Sequence, residues 1–209
     1  MKQAYMDRTN ISPKVYSAKR KSRLLDIAIK EFLRIGFSNC SIDHLSRVSG
    51  VSKSTIYRHY KNKNELLKAV TLEIASEHSQ LVSAFVLSDA DPVNCLRKFA
   101  EHIYQIETLP RHIEFLRLYI SEAQNLPFLA QLVREFGSGN TLRNISAYFI
   151  RLINSGHMTH PDPDQAAITF YTLARGSFRP LFGNLGDDIE DRRRLHIDID
   201  LFLKGCQLL

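Results

Sequence analysis

Cysteine is scarce in this chain, and its scarcity argues against two ways of stabilising a fold. The 209 residues contain only Cys40, Cys95 and Cys206, which lie far apart and form no CxxC pair. This number and spacing argue against a disulfide framework and against a zinc site. We therefore expect free thiols. A redox-sensing cysteine is the alternative, and it would need an exposed thiol in an electropositive setting.

Long apolar runs are absent as well. No stretch approaches the roughly 20 apolar residues that are needed to span a bilayer. The charges within residues 1–23 leave no room for the apolar run of a signal peptide. We expect a soluble, cytoplasmic protein with no membrane partner, and a basic flexible arm over residues 1–18.

The motifs of common enzyme classes are also missing. The sequence has no GxSxG elbow, Walker A loop, HExxH or Rossmann fingerprint. The glycines of the REFGSGN segment are not a phosphate loop, because nothing strand-like precedes them and no Gly-Lys-Ser/Thr follows. The run from His157 to Asp162 contains metal-ligand residue types, but a Pro-rich polar loop has the same composition. We predict a protein that is not an enzyme and has no cofactor or metal.

Positive charge is concentrated in the first third of the chain. Residues 1–70 contain 15 of the 28 Lys and Arg but only 5 of the 22 Asp and Glu, and the remaining residues carry a negative balance. A merely solvated surface has no reason to separate its signs in this way. The asymmetry therefore predicts a polyanion partner for the first third alone.

The segment from Ser41 to Leu67 has the pattern of two short helices around a glycine turn, followed by the start of a third helix. Ser41 and Ser52 are predicted N-caps, and Gly50 suits a left-handed turn. Apolar residues recur at helical spacing: Ile42, Leu45, Val48, Ile56 and Tyr60. The opposite face of the second helix carries the cations and hydrogen-bond donors that a DNA major groove requires: Lys53, Ser54, Thr55, Tyr57, Arg58 and His59.

An amphipathic helix precedes this segment, with an apolar stripe of Leu25, Ala28, Phe32 and Ile35. Together they resemble the DNA-binding domain of the TetR (tetracycline-repressor) family of bacterial transcription regulators. The matching runs are Gly36-Phe37, Ser41-Ile42, Leu45, Ser49 to Tyr60, Asn62-Lys63 and Glu65-Leu66-Leu67. The departures are Ser46 and Ser49, where alanine is usual, and His44, where an acidic residue is common. The resemblance implies a helix-turn-helix domain over residues 19–66.

The resemblance also implies which side chains meet DNA. We expect base-edge contacts from Lys53, Ser54, Thr55 and Arg58. We expect phosphate contacts from Ser41, Ser52, Tyr57, His59 and Lys63. Packing within the domain is the alternative for Tyr57 and His59. Arg20 and Lys21 are expected to reach the minor groove or the DNA backbone, and a disordered charged tail is the alternative for residues 1–16.

Residues 67–209 show helical periodicity almost to the end, without a convincing strand, so the predicted fold class is all-α with about nine helices. The last two helices are predicted over Asp164 to Phe182 and Asp187 to Gln207. This region resembles the C-terminal ligand-binding and dimerisation domain of the TetR family. Its surplus of apolar residues predicts a homodimer interface at Phe170, Leu173, Phe178, Leu181, Phe182, Leu195, Ile199, Phe202 and Leu203.

The resemblance implies a repressor that a small hydrophobic or aromatic effector releases from a palindromic double-stranded DNA operator. Candidate pocket residues are polar or aromatic side chains within apolar helical patterns, and ordinary packing is the alternative for each: His102, Tyr104, Arg117, Glu122, Tyr148 and Tyr171. A ligand-independent DNA-binding organiser or division-site protein on the same scaffold is the other function that the sequence leaves open.

Overall fold

Helices account for all the regular structure of the described chain. The computed structural model describes residues 13–176, 179–182 and 188–208. Over these residues the fold is all-α, as predicted, with no strand and no helix long and apolar enough to cross a membrane. The chain divides into two compact units, Met1–Val70 (unit 1) and Thr71–Leu209 (unit 2).

Ten α-helices are described, against about nine predicted. In chain order they are α1 (Pro13–Ile35), α2 (Ile42–Ser49), α3 (Lys53–His59), α4 (Lys63–Ser83), α5 (Pro92–Glu107), α6 (Pro110–Glu122), α7 (Phe128–Leu132), α8 (Gly139–Asn154), α9 (Pro163–Ala174) and α10 (Asp188–Gly205). A π-helical segment, Val133–Ser138, joins α7 to α8, and a short 3-10 helix, Arg179–Phe182, lies between α9 and α10. The REFGSGN sequence is therefore tolerated within a continuous helix.

The core of unit 1 forms where α1 packs on α2. Leu24 and Phe32 of α1 are fully buried, and the Phe32 ring meets Phe37 edge to face with centroids 5.3 Å apart. The buried stripe begins one position earlier than predicted, because Leu25 is only partly buried. Residues 13–18 of the predicted flexible arm belong to α1, since the helix begins at Pro13. Proline suits a first helical turn, where its missing N–H costs no hydrogen bond.

Unit 2 is centred on four phenylalanines, one from each of α5, α8, α9 and α10. Phe99, Phe149, Phe170 and Phe202 belong to one buried cluster, and neighbouring ring centroids lie between 5.6 and 6.1 Å apart. Aromatic pairs at such separations contribute about 0.5–1.5 kcal/mol each beyond their burial. The cluster therefore fixes α9 and α10 to the core of their own chain.

This packing corrects the predicted dimer interface. Five of its residues belong to the buried cluster of unit 2 and have no surface left for a second chain: Phe170, Leu195, Ile199, Phe202 and Leu203. Leu173 packs against the same cluster, Leu181 is partly exposed and Phe182 is exposed, whereas Phe178 lies outside the described residues. The exposed apolar residues of α9 and α10 are Ile168, Ile197 and Leu201, with Ile189 at the start of α10.

The helix predicted to run to Phe182 ends at Ala174. Gly176 follows with a φ of +72°, in the left-handed region that favours glycine. A Cβ atom at Gly176 would lie 2.9 Å from the ring of Tyr104, so the chain turns where only glycine fits. Helical periodicity in the sequence continues past this point, which is why it did not reveal the end of α9.

Candidate nucleic-acid interface and ligand cavities

The turn between α2 and α3 is built from local interactions. Ser41 caps α2 by accepting a hydrogen bond from the backbone N–H of His44 at 3.0 Å. Gly50 ends α2 with a φ of +68°, and the Ser52 hydroxyl oxygen accepts from the Thr55 N–H at the start of α3. Both predicted N-caps and the glycine turn are confirmed. On α2 the third buried position is Ser49 and not Val48, whose side chain is 42% exposed.

Two faces of α3 differ sharply. Ile56 is fully buried and Tyr60, which ends the helix, is 7% exposed, so this face anchors α3 to unit 1. The Tyr57 side chain is 52% exposed, and Arg58 is exposed beside it. Within the described part of the chain, the Arg58 guanidinium has no hydrogen bond or ion pair. The outward face therefore presents a cation and donors that are available to a ligand.

The hydroxyls of α3 are linked to one another. The Ser52 hydroxyl donates to Thr55 Oγ1 at 2.9 Å and lies 3.1 Å from the Ser54 oxygen. Exposed hydroxyls in such a chain can rotate towards a base edge or a phosphate. His59 is half-buried, with its ring 6.4 Å from that of Tyr60, so it combines packing with exposure.

Lys53, at the start of α3, and Lys63, at the start of α4, have different surroundings. Lys53 pairs with Asp43 at 2.7 Å, but both side chains are more than half exposed, so solvent screens the pair and a phosphate could replace the carboxylate. The Lys63 ammonium instead donates to the carbonyl oxygen of Phe37 at 2.8 Å and lies 4.2 Å from the centre of the Phe37 ring. Lys63 therefore braces the turn after α1.

His44 has a structural partner that explains its departure from the family pattern. Its Nε2 atom contacts the carboxylate of Glu31, which also forms a salt bridge with Arg34 at 2.7 Å. The hydrogen bonds from Arg34 and then His44 lower the pKa of Glu31 to about 2. Glu31 and Asp43 are thus both paired with cations of unit 1, and these pairs leave the net positive charge of the unit unchanged.

The predicted minor-groove residues, Arg20 and Lys21, belong to α1, but their side chains lie outside the described part of the structure. Their role stays a prediction.

Two sequence profiles match this arrangement. The profile described as bacterial regulatory proteins, tetR family, matches residues 24–70. The profile described as AefR-like transcriptional repressor, C-terminal domain, matches residues 94–203, more than half of the chain. The chain belongs to the TetR family. It is therefore a DNA-binding transcriptional regulator, of a family that binds operators as dimers.

Solved structures and curated proteins agree with this assignment to the TetR family. A structure assigned to this family from Mesorhizobium loti has a TM-score of 0.80 at 25% identity and covers 90% of this chain and 97% of that chain. The flavonoid-responsive regulator FrrA has the same fold, with a TM-score of 0.73 at 24% identity and the same coverage of both chains. The DNA-binding transcriptional repressor TetR of Mycobacteroides abscessus is 24% identical over 68% of this chain and 80% of that protein. The match to the regulator TtgR of Pseudomonas putida, 26% identical, spans only 40% of either chain.

Two of the cavities among the described residues of unit 2 differ in character. The larger, about 260 Å³, lies between α4, α5 and α8. Its wall is apolar at Phe85 and Phe99 and polar at Thr141, Asn144 and Arg151. The Thr141 hydroxyl is buried and has no hydrogen-bond partner among the described residues. A mostly apolar wall with a few polar groups is typical of small-molecule sites.

The smaller cavity, about 60 Å³, surrounds a buried carboxylate at the end of α5. Glu107 accepts hydrogen bonds from Tyr171 at 2.8 Å, from His112 at 2.9 Å and from His78 at 3.2 Å, and Arg175 lies 3.3 Å away. Burial alone would raise the pKa of Glu107, but the bonds from His112 and His78 and the charge of Arg175 hold this pKa well below its usual range. Burial and the adjacent carboxylate raise the pKa of Tyr171 well above normal.

Tyr171 is the one predicted pocket residue that lines either of these two cavities. Tyr104 and Tyr148 are buried but donate to Asp188 and to the Ser88 carbonyl, and burial raises the pKa of Tyr104 to about 12. His102 contacts the Leu81 carbonyl, Arg117 donates to the Leu181 carbonyl, and Glu122 is buried on α6. The six predicted residues therefore do not line a common wall in either of these two cavities. The run from His157 to Asp162, which contains metal-ligand residue types, is a loop. His157 bonds to Ser155, and His160 accepts from the Asp162 N–H.

Sequence reasoning missed His78, Glu107 and His112. The pattern did contain a signal, because His78 follows Ile74 and precedes Val82 at four-residue spacing in a buried stripe. Glu107 likewise follows Ile103 and Tyr104, both buried. Polar residues within apolar stripes were the criterion for the predicted pocket, but periodicity cannot show which of them share a cavity.

Proposed function

We propose that this chain represses transcription by binding a palindromic operator as a homodimer, and that a small molecule bound in unit 2 releases it. The observation that carries the proposal is the outward face of α3, with its unpartnered Arg58, in a TetR-family helix-turn-helix unit of strong positive charge. Arg58, Lys53, Ser54 and Thr55 face base edges in the major groove, because such donors distinguish base pairs there.

Phosphate contacts come from the rim of the same face. Tyr57 and His59 are exposed or half-exposed and carry polar tips. The hydroxyls of Ser41 and Ser52 both accept from backbone N–H groups. Ser41 keeps its own proton for a phosphate oxygen, whereas the Ser52 hydroxyl would have to turn its proton away from Thr55 to reach one. The Lys63 ammonium donates to the carbonyl oxygens of Phe37 and Ser38, and its remaining N–H group contributes to phosphate binding.

The proposed dimer interface is the exposed side of α9 and α10. Ile168, Ile197 and Leu201 are each at least 46% exposed, and Ile197 and Leu201 lie one helical turn apart. An exposed apolar patch on a soluble domain marks an interaction surface, and a second copy of the same patch would bury it symmetrically. Two such helix pairs would form a four-helix bundle.

The proposed effector site is the larger cavity. Phe85 and Phe99 supply an aromatic wall, and Arg151 and Asn144 supply charge and hydrogen bonds at its edge. The effector class that fits is a small hydrophobic or aromatic molecule with one anionic or polar group. A ligand releases the operator only through different affinities for the bound and free forms of the regulator.

The test combines an operator titration with a ligand screen. Genome-wide footprinting of the protein identifies its operators, and fluorescence anisotropy measures their affinity with and without compounds that raise the melting temperature. We expect a few palindromic sites and a loss of affinity of about 5- to 150-fold on ligand binding. Many dispersed sites together with unchanged affinity under saturating ligand would instead support the ligand-independent organiser.

A further inference from the structure

The buried carboxylate of Glu107 in unit 2 lies beside two imidazole rings, and both groups are of types that bind metal ions. His78 of α4, Glu107 of α5 and His112 of α6 place two imidazole nitrogens and a carboxylate oxygen within 4.8 Å of one another. His78 is 29 positions from Glu107 in sequence, whereas His112 follows Glu107 by only five, and the end of α5 and the start of α6 meet α4 here. The imidazole rings are stacked with their centres 4.8 Å apart, so both Nε2 atoms face the same carboxylate.

These separations are close to those of a metal-ligand set. Bonds of about 2.0–2.1 Å from a tetrahedral zinc ion place its nitrogen and oxygen ligands roughly 3.3 Å apart. The two His–Glu separations, 3.2 and 2.9 Å, already approach this value. The remaining separation is at most 4.8 Å and would have to shorten by no more than about 1.5 Å, which side-chain rotation can provide.

His78 has an unsatisfied polar atom at this site. Its Nδ1 atom is buried and has no hydrogen-bond partner among the described residues. Because most buried polar atoms are hydrogen-bonded, this nitrogen is an exception that a bound ligand or water molecule would explain.

Space for the rest of a coordination shell lies beside the histidines. The cavity of about 60 Å³ reaches Tyr171 and Arg175, and a second hollow of about 40 Å³ lies against His78, His112 and Leu109. Each exceeds the roughly 10–15 Å³ that one water molecule needs. Water can therefore complete the coordination shell of an ion at this place.

We propose that His78, Glu107 and His112 form a binding site for one divalent transition-metal ion of the zinc type. Two imidazoles and one carboxylate favour zinc, cobalt or nickel over the oxygen-preferring magnesium and calcium. Arg175 is the competitor of the ion, because its positive charge now lies 3.3 Å from Glu107. Its side chain is 35% exposed, so it can turn outward when an ion enters. The site belongs to unit 2, and it does not depend on the proposed operator or effector.

The experiment measures ion binding to the full chain without DNA. Isothermal titration with zinc chloride and absorption spectra with cobalt chloride should show one ion per chain at micromolar concentration. The cobalt spectrum should lack the intense near-ultraviolet band of a thiolate ligand, which excludes Cys40, Cys95 and Cys206 as the source. No binding by the natural chain, or a thiolate band, would overturn the proposal.

Variants identify the site and its competitor. His112→Ala should lower zinc affinity at least about 100-fold, since even loss of an outer partner of a metal ligand costs roughly 10- to 100-fold. The matched control is His196→Ala, which removes an exposed histidine elsewhere in unit 2 and should change nothing. Arg175→Gln should tighten zinc binding, because it removes the competing charge. Circular dichroism checks that each variant is folded. Equal affinity of His112→Ala and the natural chain would refute the assignment.

Discussion

Gly176 offers a prediction whose size follows from two separate structural terms. Its φ of +72° lies in the left-handed region, where a residue with a Cβ costs about 1–2 kcal/mol more than glycine. The added Cβ of Gly176→Ala would also lie 2.9 Å from two ring carbons of Tyr104. That ring cannot move freely, because its hydroxyl donates to Asp188 and Arg192 lies over its face. Overpacking of this kind costs about 1–3 kcal/mol.

The two terms together predict that Gly176→Ala lowers the free energy of unfolding by about 2–5 kcal/mol. Gly156→Ala is the matched control, because Gly156 has a similar φ of +75° but nothing within 4 Å of the added Cβ. The control should lose only the backbone term, about 1–2 kcal/mol. Urea unfolding monitored by circular dichroism measures both. Equal losses in the two variants would refute the argument that the Tyr104 ring restricts this position.

Three further predictions concern the DNA-binding face, the interface and acid stability. Arg58→Ala should cost about 1–3 kcal/mol of operator affinity and relax sequence preference. Lys63→Ala removes a proposed phosphate contact and should weaken all sequences alike, with a smaller dependence of affinity on salt. Anisotropy titrations at several salt concentrations separate the two, and an Arg58→Ala variant with unchanged preference would contradict the base contact. Leu201→Glu should convert a dimer of twice 24.0 kDa into a monomer, as measured by analytical ultracentrifugation. Ile120→Glu is the control and should leave the dimer intact, because Ile120 is about as exposed as Leu201 but lies on α6. A monomeric natural protein would refute the interface. The pKa of Glu31 is lowered from 4.5 to about 2, so its ion pairs stabilise unit 1 above pH 4.5 and are lost as the pH falls towards 2. Glu31→Gln should therefore reduce stability at pH 7 and make stability decline less steeply in acid. Urea midpoints that decline as steeply as in the natural chain would show that other carboxylates dominate.

The features that the sequence predicted correctly in unit 1 are local ones. Ser41, Gly50 and Ser52 act through residues at most four positions away, so their caps and turn are legible without knowledge of tertiary contacts. The prediction from helical spacing was wrong at Val48, because the neighbouring Ser49 is the residue that faces the core. Ser49 is buried instead of Val48, because its hydroxyl accepts from the Val51 N–H and so can be buried at little cost.

The parts of unit 2 that were not predicted depend on contacts between distant residues. Phe202 and Leu203 were expected to be apolar surface for a partner, but their burial is decided by α5, α8 and α9, which pack around them. The end of α9 depends on the approach of Tyr104 to Gly176, across 72 positions of the sequence. His78 and Glu107 are brought together by the packing of α4 on α5, which periodicity within one helix cannot show.

The π-helical segment Val133–Ser138 is the place where this chain should best tolerate the loss or gain of one residue. Its hydrogen bonds span one residue more than those of an α-helix, so the segment holds an extra residue between α7 and α8. Loss of one residue there would restore an ordinary α-helix and leave Leu129 and Phe149 directed at the core as they are now. Deletion of a residue of α8 that precedes Phe149 would instead rotate the rest of the helix by about 100° and turn Phe149 out of the core. Single-residue insertions and deletions among relatives of this chain should therefore collect in this one turn.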